Sequence, residues 1–515
     1  MKLERTKNSI NNTIWGFLNK AVMLLGPFIV RTVLIYKLSA DYAGLNSLFS
    51  SILSILSLSE LGFSNAIVYS MYKPIAEDDS NTICALLRLY RKAYRIIGIV
   101  ILGIGLVLTP FLRFMIKGAL PPDVNLYTLY FIFLFNTIIS YFLFAYKTSL
   151  LSAHQREDVV SRNTMRINAC LYAVQVLVLV FFGNFYIYVI TIPLSTIAIN
   201  IINSFTVDKM YPDYKPVGTV SDELKTAIKK QIYGLTLEKI GISTRNTFDS
   251  IVISMYFGLT LVTIYNNYYY VINALNDIFM IFVGAIKAGI GNKVAIDSKE
   301  NNHTDFLKFF FMYMWLTICA VSVLAGVFQP FMKLWMGKSM MLPEISMLLF
   351  IAYFFQKKLI EINDVYYEAA GLWWKGRYRN IVEAGINIVL NFVLGYYWGV
   401  NGIILATLIS MWCIFFYASG IIYREYFTDY KAGEYYIECL RYTVTGIVSV
   451  VLSYYICLFI PFGNSVLMKI LFLLVKFVIC MAVSNIICLL FLRRDKSFRL
   501  AKSFVSGILK NFRRN

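Results

Sequence analysis

Apolar residues run through this chain in stretches of about 20 or more, separated by short segments carrying Lys, Arg, Asp and Asn. As a helix, a run of that length crosses about 30 Å of hydrocarbon. The runs predict fourteen helices, at 10–37, 41–72, 94–116, 124–150, 160–182, 184–206, 231–256, 258–287, 306–332, 344–370, 379–398, 401–424, 437–460 and 466–492. Several are long enough to tilt or to protrude from the bilayer. Residues 74–93 read as a polar connection followed by an amphipathic approach to the third helix. A membrane β-barrel would instead show short segments of strict alternation, which this chain does not have. The expected fold is all-α, embedded in a membrane and crossing it about fourteen times.

Composition agrees with the pattern. The chain is 58% hydrophobic and only 15% charged, too few charges to cover a soluble protein of 515 residues. The polar, basic start (Lys2, Arg5, Lys7) leads into an apolar stretch too long for a cleavable signal, so the first helix is expected to remain in the protein. Odd-to-even connections hold few cations, chiefly Lys37, Lys117, Lys333 and Lys338. Even-to-odd connections hold many, among them Lys73, Arg88, Arg91, Arg156, Arg162, Arg166, Lys209, Lys215, Lys293, Lys299, Lys375 and Arg377. The positive-inside rule then puts both termini in the cytoplasm. The net charge of +19 is spread over these loops, which reads as a topology signal and argues against nucleic acid as a partner. Beyond Arg493 the tail places Phe498, Ala501, Val505, Ile508 and Phe512 at helical spacing among cations. It reads as a helix lying on an anionic inner leaflet or as a frayed basic tail.

A weak repeat divides the helices. Lys20 and Lys239 are 219 residues apart, Glu60 and Asp277 are 217 apart, and Gly183 and Gly399 are 216 apart. Helices one to six and seven to twelve therefore read as copies in the same orientation, related by an axis along the membrane normal. The expected organisation is an N-lobe over 1–207, a cytoplasmic linker over 208–230, a C-lobe over 231–425, an extra helix pair over 426–492 and a basic tail over 493–515.

Charges inside apolar runs are costly, at least about 2.5 kcal/mol at the bilayer centre, and so mark cavities or ion pairs. Helix one carries Lys20 and Arg31 around Pro27. Helix seven carries Lys239, Arg245 and Asp249, the last two spaced to pair along the helix. Helix ten places Lys357, Glu361, Asp364 and Glu368 on one face, as for a wet cavity or for contacts to cytoplasmic loops. Arg31, Arg245, Lys20 and Lys239 suit an anionic substrate, since guanidinium and ammonium groups match phosphate oxygens. Asn46, Glu60, Asp249, Asn273, Asp277, Glu361 and Asp364 are the candidate polar and acidic residues of the same chamber. Structural ion pairing or snorkelling to the interface is the competing account of each charge. His154 and His303 read as loop or interface residues. The eight cysteines include no C-x-x-C and read as small packing residues, not as metal ligands or disulfides. No nucleotide-binding, metalloprotease or serine-hydrolase motif is present, and the external loops are short, so no catalytic residues or cofactors are expected.

The stretch LNSLFSSILSILSLSELGFSNAIVYSMYKPIAEDD (45–79) resembles the second helix and following loop of bacterial Wzx-type oligosaccharide flippases. These belong to the superfamily of multidrug extruders and lipid II flippases. TRNTFDSIVISMYFGLTLVTIYNNYYYVINAL (244–275) is similar to the family's helix seven–eight junction, and 366–410 to its helix ten–twelve region. The resemblance covers about residues 5–425. It implies movement of undecaprenyl-diphosphate-linked repeat units from the inner to the outer leaflet of the bacterial cell membrane by alternating access. It also implies a role in capsule, exopolysaccharide or O-antigen assembly; the sequence does not choose between Na+ and H+ as a coupling ion. Membrane lipids, a polysaccharide polymerase and glycosyltransferases are its expected partners. A cation-coupled drug extruder, a lipid II flippase and a membrane glycosyltransferase or polymerase remain as alternatives.

Overall fold

The computed structural model of the chain describes residues 5–57, 63–372, 375–461 and 463–512. Within these ranges the side chains of 5–7, 9, 10, 234, 235, 237–246, 288 and 508–512 lie outside the description. The described secondary structure is helical throughout: α1 (Arg5–Lys37), α2 (Ala40–Leu56), α3 (Phe63–Ala76), α4 (Ser80–Leu108), α5 (Leu126–Phe142), α6 (Thr148–Ala153), α7 (Glu157–Phe181), α8 (Phe185–Met210), α9 (Asp222–Phe257), α10 (Leu259–Ile296), α11 (Lys299–Met336), α12 (Glu344–Ala369), α13 (Arg379–Glu425), α14 (Ala432–Leu458), α15 (Val466–Leu492) and α16 (Lys496–Phe512). Among the described residues nine helices are long and apolar enough to span a membrane, or ten when the α5–α6 pair, bent by 48°, counts as one.

Local chemistry sets the boundaries. The Asp79 carboxylate accepts from the Thr82 amide at 3.0 Å and so caps α4, while Asn184 and Ser298 cap α8 and α11 in the same way. Gly258, at φ +87°, ends α9 and lets the chain turn straight into α10. Exposed leucines and valines such as Leu467, Leu471 and Val478 cover much of α15. An apolar surface of that extent belongs against lipid.

By contacts the chain separates into Met1–Thr263 and Ile264–Asn515. In the first unit α1 lies along α7, and a Cβ on Gly26 would come within 2.0 Å of the Tyr172 ring, so only glycine permits this approach. Leu45, Leu48, Phe49, Ile52 and Leu53 form the buried face of α2, with Tyr130 and Phe133 of α5 packed against Phe49. In the second unit α11 is central and is packed by α12, α14, α15 and α16. Its buried aromatic face includes Phe306, Phe310, Tyr313 and Phe328.

Several predicted elements change form. The second predicted span is described as α2 and α3, on either side of residues outside the description. The approach at 74–93 and the third span merge into α4, which ends in a 3-10 turn over Thr109–Met115. The fourth span breaks at Leu143 and Phe144, the latter left-handed at φ 59°. Spans eleven and twelve form the single run α13, broken at Gly399 (φ 63°, ψ −143°), between the two predicted helices. The contact division falls at Thr263 because α9 packs on α2 and α3. The tail is a helix with Phe498 against Phe311 and Trp315 of α11. Phe504 meets Phe309, and Val505 is exposed.

Candidate functional site

In the first unit the informative cluster surrounds Arg31, half-buried one turn after Pro27 on α1. Its guanidinium donates to the Ser47 hydroxyl of α2 at 3.2 Å and to the Thr263 carbonyl of α10 at 3.2 Å. Asn46, the neighbour of Ser47, is half-buried. Just beyond, the ends of four helices are tied together. The Thr260 hydroxyl donates to Asp41 at 2.5 Å, the Thr263 hydroxyl donates to the Ala40 carbonyl at 2.6 Å, and the Lys117 amide donates to the Ser254 carbonyl at 3.0 Å. Tyr42 donates to Asp123. Gly44 makes this closure possible, because a Cβ there would stand 2.3 Å from the Leu259 carbonyl oxygen. The α1–α2 and α9–α10 turns therefore form a hydrogen-bonded clasp with Arg31 beneath it. Lys20 lies nearer the opposite end of α1, with an exposed side chain.

On α9 the side chains of Lys239 and Arg245 lie outside the described residues, as does Glu60, so the expected Arg245–Asp249 pair is not described. Asp249 itself is buried. Sequence spacing had no means of finding the clasp, since it is made by residues more than 200 positions apart.

In the second unit the acidic face of α12 resolves into ion pairs. Glu361 accepts from Lys358 at 2.8 Å and from the Tyr313 hydroxyl of α11. Lys358 is fully buried, and its ammonium lies 4.9 Å from the ring centroid of Phe279, 5.2 Å from Phe354 and 5.8 Å from Tyr313. A charge so enclosed is tolerated because one carboxylate and three aromatic faces replace water. Asp364 accepts from Arg379 at 2.7 Å, and Glu368 pairs with Lys287 of α10. Each acid that the spacing placed on one face thus has its own cation within the unit, and the partner of Glu361 is Lys358, not the neighbouring Lys357 of the predicted face. Lys358, Tyr313 and Arg379 were missed as candidates. The i, i+3 spacing of Lys358 and Glu361 was legible, whereas the Tyr313 contact needed the fold. On α10, Asn273 is half-buried and Asp277 exposed.

Near the predicted cytoplasmic end, His303 is enclosed by aromatic rings. It stacks on Tyr430 with centroids 3.7 Å apart, and its Nε2 lies 3.2 Å from the Tyr423 hydroxyl. Burial, followed by the nearby Lys496 ammonium, pushes its pKa down to about 4, so it is neutral at physiological pH. Among the described residues no group of three or more His, Cys, Asp and Glu could hold a metal ion.

Neither a protein-family model nor a curated protein matches the chain. Solved structures do. A lipid II flippase, MurJ, in an inward closed conformation aligns with a TM-score of 0.64 at 15% identity, covering 94% of this chain and 99% of that one. An inward-facing multidrug resistance MATE transporter of the MOP superfamily aligns at 0.62 and 11% identity, covering 79% and 98%. A MOP-superfamily transporter from Pyrococcus furiosus aligns at 0.54 and 14% identity, covering 81% and 95%. At these identities the likeness is one of fold: the chain has the many-helix membrane fold of MOP-superfamily transporters and flippases.

Proposed function

We propose that this protein is a flippase for undecaprenyl-diphosphate-linked oligosaccharide repeat units, moving them from the inner to the outer leaflet of a bacterial cell membrane for capsule, exopolysaccharide or O-antigen assembly. The observation that carries the reading is the extent of the fold likeness. The lipid II flippase aligns over 94% of the chain, whereas the drug transporter aligns over 79%. The difference is about the size of α14–α16, so the likeness to a protein that moves a lipid-linked substrate takes in more of the chain. The cation-bearing helices α1 and α9 support the same reading, since a drug extruder for cations would be better served by acids there.

In this account the diphosphate binds Arg31 and Arg245, aided by Lys20 and Lys239. The glycan is held by polar residues of the first unit, Asn46, Glu60 and Asp249, and the polyprenyl tail stays in lipid. Both termini are cytoplasmic, so the clasp at Asp41 and Thr260 closes the outer end and opens for release. Na+ or H+ drives the cycle. Lipid II itself is the second reading, favoured by the identity of the aligned flippase.

Deletion of the gene in its own host separates the readings. The proposal expects the lipid-linked repeat unit to accumulate on the inner leaflet and the surface polysaccharide to be lost. Lysis with lipid II accumulation would establish the second reading, and drug sensitivity with an intact polysaccharide would establish an extruder.

A further inference from the structure

Three helices of the second unit meet closely at Gly326 of α11. A Cβ there would stand 2.6 Å from the sulfur of Cys457 on α14 and 2.6 Å from that of Cys480 on α15. The missing side chain leaves room for the two sulfurs to touch. They are 3.4 Å apart, and both thiols are free and buried, at 3% and 0% exposure. Lys476 precedes Cys480 by one helical turn and is only 6% exposed. With Cys457 it lines a cavity of about 200 Å3 whose other walls include Gln329 and Lys333 of α11 and Glu344 of α12. Cys480 is not part of that wall.

We propose that Cys457 and Cys480 are a redox-active thiol pair, oxidised by small disulfides that enter this cavity to a bond linking α14 and α15. In the first step the Cys457 sulfur attacks one sulfur of the incoming disulfide, forming a mixed disulfide and releasing one small thiolate. In the second, the Cys480 thiolate displaces the other small thiolate and closes the intramolecular bond. One small disulfide and two protein thiols give one protein disulfide and two small thiols, so electrons and protons balance. The roles follow from placement: Cys457 faces the cavity and attacks, and Cys480 behind it resolves. The chemistry does not depend on what the chain transports. On the orientation proposed above, the cavity lies toward the outer end, where disulfides persist.

The test uses the full chain in lipid nanodiscs, equilibrated with mixtures of 2-hydroxyethyl disulfide and 2-mercaptoethanol, then acid-quenched, alkylated, digested and read by mass spectrometry. The proposal expects a Cys457–Cys480 linked peptide as the mixture becomes oxidising, while the four other buried cysteines, Cys84, Cys319, Cys439 and Cys488, stay alkylated. Cys480→Ser should instead hold 2-mercaptoethanol as a mixed disulfide on Cys457. Complete alkylation of both thiols at every ratio would overturn it, as would an adduct in Cys480→Ser on other cysteines with Cys457 unreacted.

Discussion

At the residue scale, His303 shows how a group that looked incidental in sequence acquires a measurable role. Its ring is closed in by Tyr423, Phe427 and Tyr430, and its pKa in the folded protein is about 4. In the unfolded chain a histidine titrates near 6.5. The unfolded state therefore binds more protons between those values, and stability must fall as pH drops through that window. Between pH 7 and pH 5 the loss should be on the order of 1–2 kcal/mol, since each pKa unit is worth about 1.4 kcal/mol. Thermal unfolding in detergent at the two pH values measures it, with His303→Gln as comparator. The variant should lose most of the pH dependence, and an equal dependence in both proteins would assign it to other groups. Glu361 carries a different lesson at this scale. Its charge and its i, i+3 spacing to Lys358 are visible in the sequence, but Tyr313 comes from another helix, and only packing of α11 on α12 brings it to Glu361.

At the scale of elements, the clasp joins the α1–α2 turn to the α9–α10 turn. If its opening is part of transport, holding it shut must stop the cycle. Asp41→Cys with Thr260→Cys, in a chain whose Cys457 and Cys480 are serine, should cross-link under mild oxidation and lose transport, and reduction should restore it. Transport that continues with the cross-link complete would remove the clasp from the cycle. Most elements were legible in sequence because the hydrocarbon core imposes a minimum length on any crossing helix, and among the described residues the apolar runs of that length lie in helices, two of them joined in α13. The internal breaks were less legible. Gly399 stands out as a glycine between closely spaced runs, but no glycine or proline marks the bend at Leu143 and Phe144.

At the scale of the whole molecule, the fold and the substrate rest on different supports. A many-helix membrane fold follows from apolar run length, and the aligned transporters share it over most of their own chains. The proposed substrate rests on the sequence resemblance and on cations such as Arg31 on a membrane helix. These lines meet in a single claim, that the chain carries a polyprenyl-diphosphate-linked glycan across a bilayer and holds its diphosphate partly through Arg31. The direct measurement is flipping of a fluorescent undecaprenyl-diphosphate-linked oligosaccharide in liposomes containing the purified protein, with and without Arg31→Ala. The account predicts protein-dependent translocation that falls about tenfold to a hundredfold in the variant, as expected for loss of charge-assisted hydrogen bonds worth about 1.5–3 kcal/mol. Translocation no faster than in empty liposomes, under either a Na+ or an H+ gradient, would contradict the flippase reading, and full activity in Arg31→Ala would contradict the site.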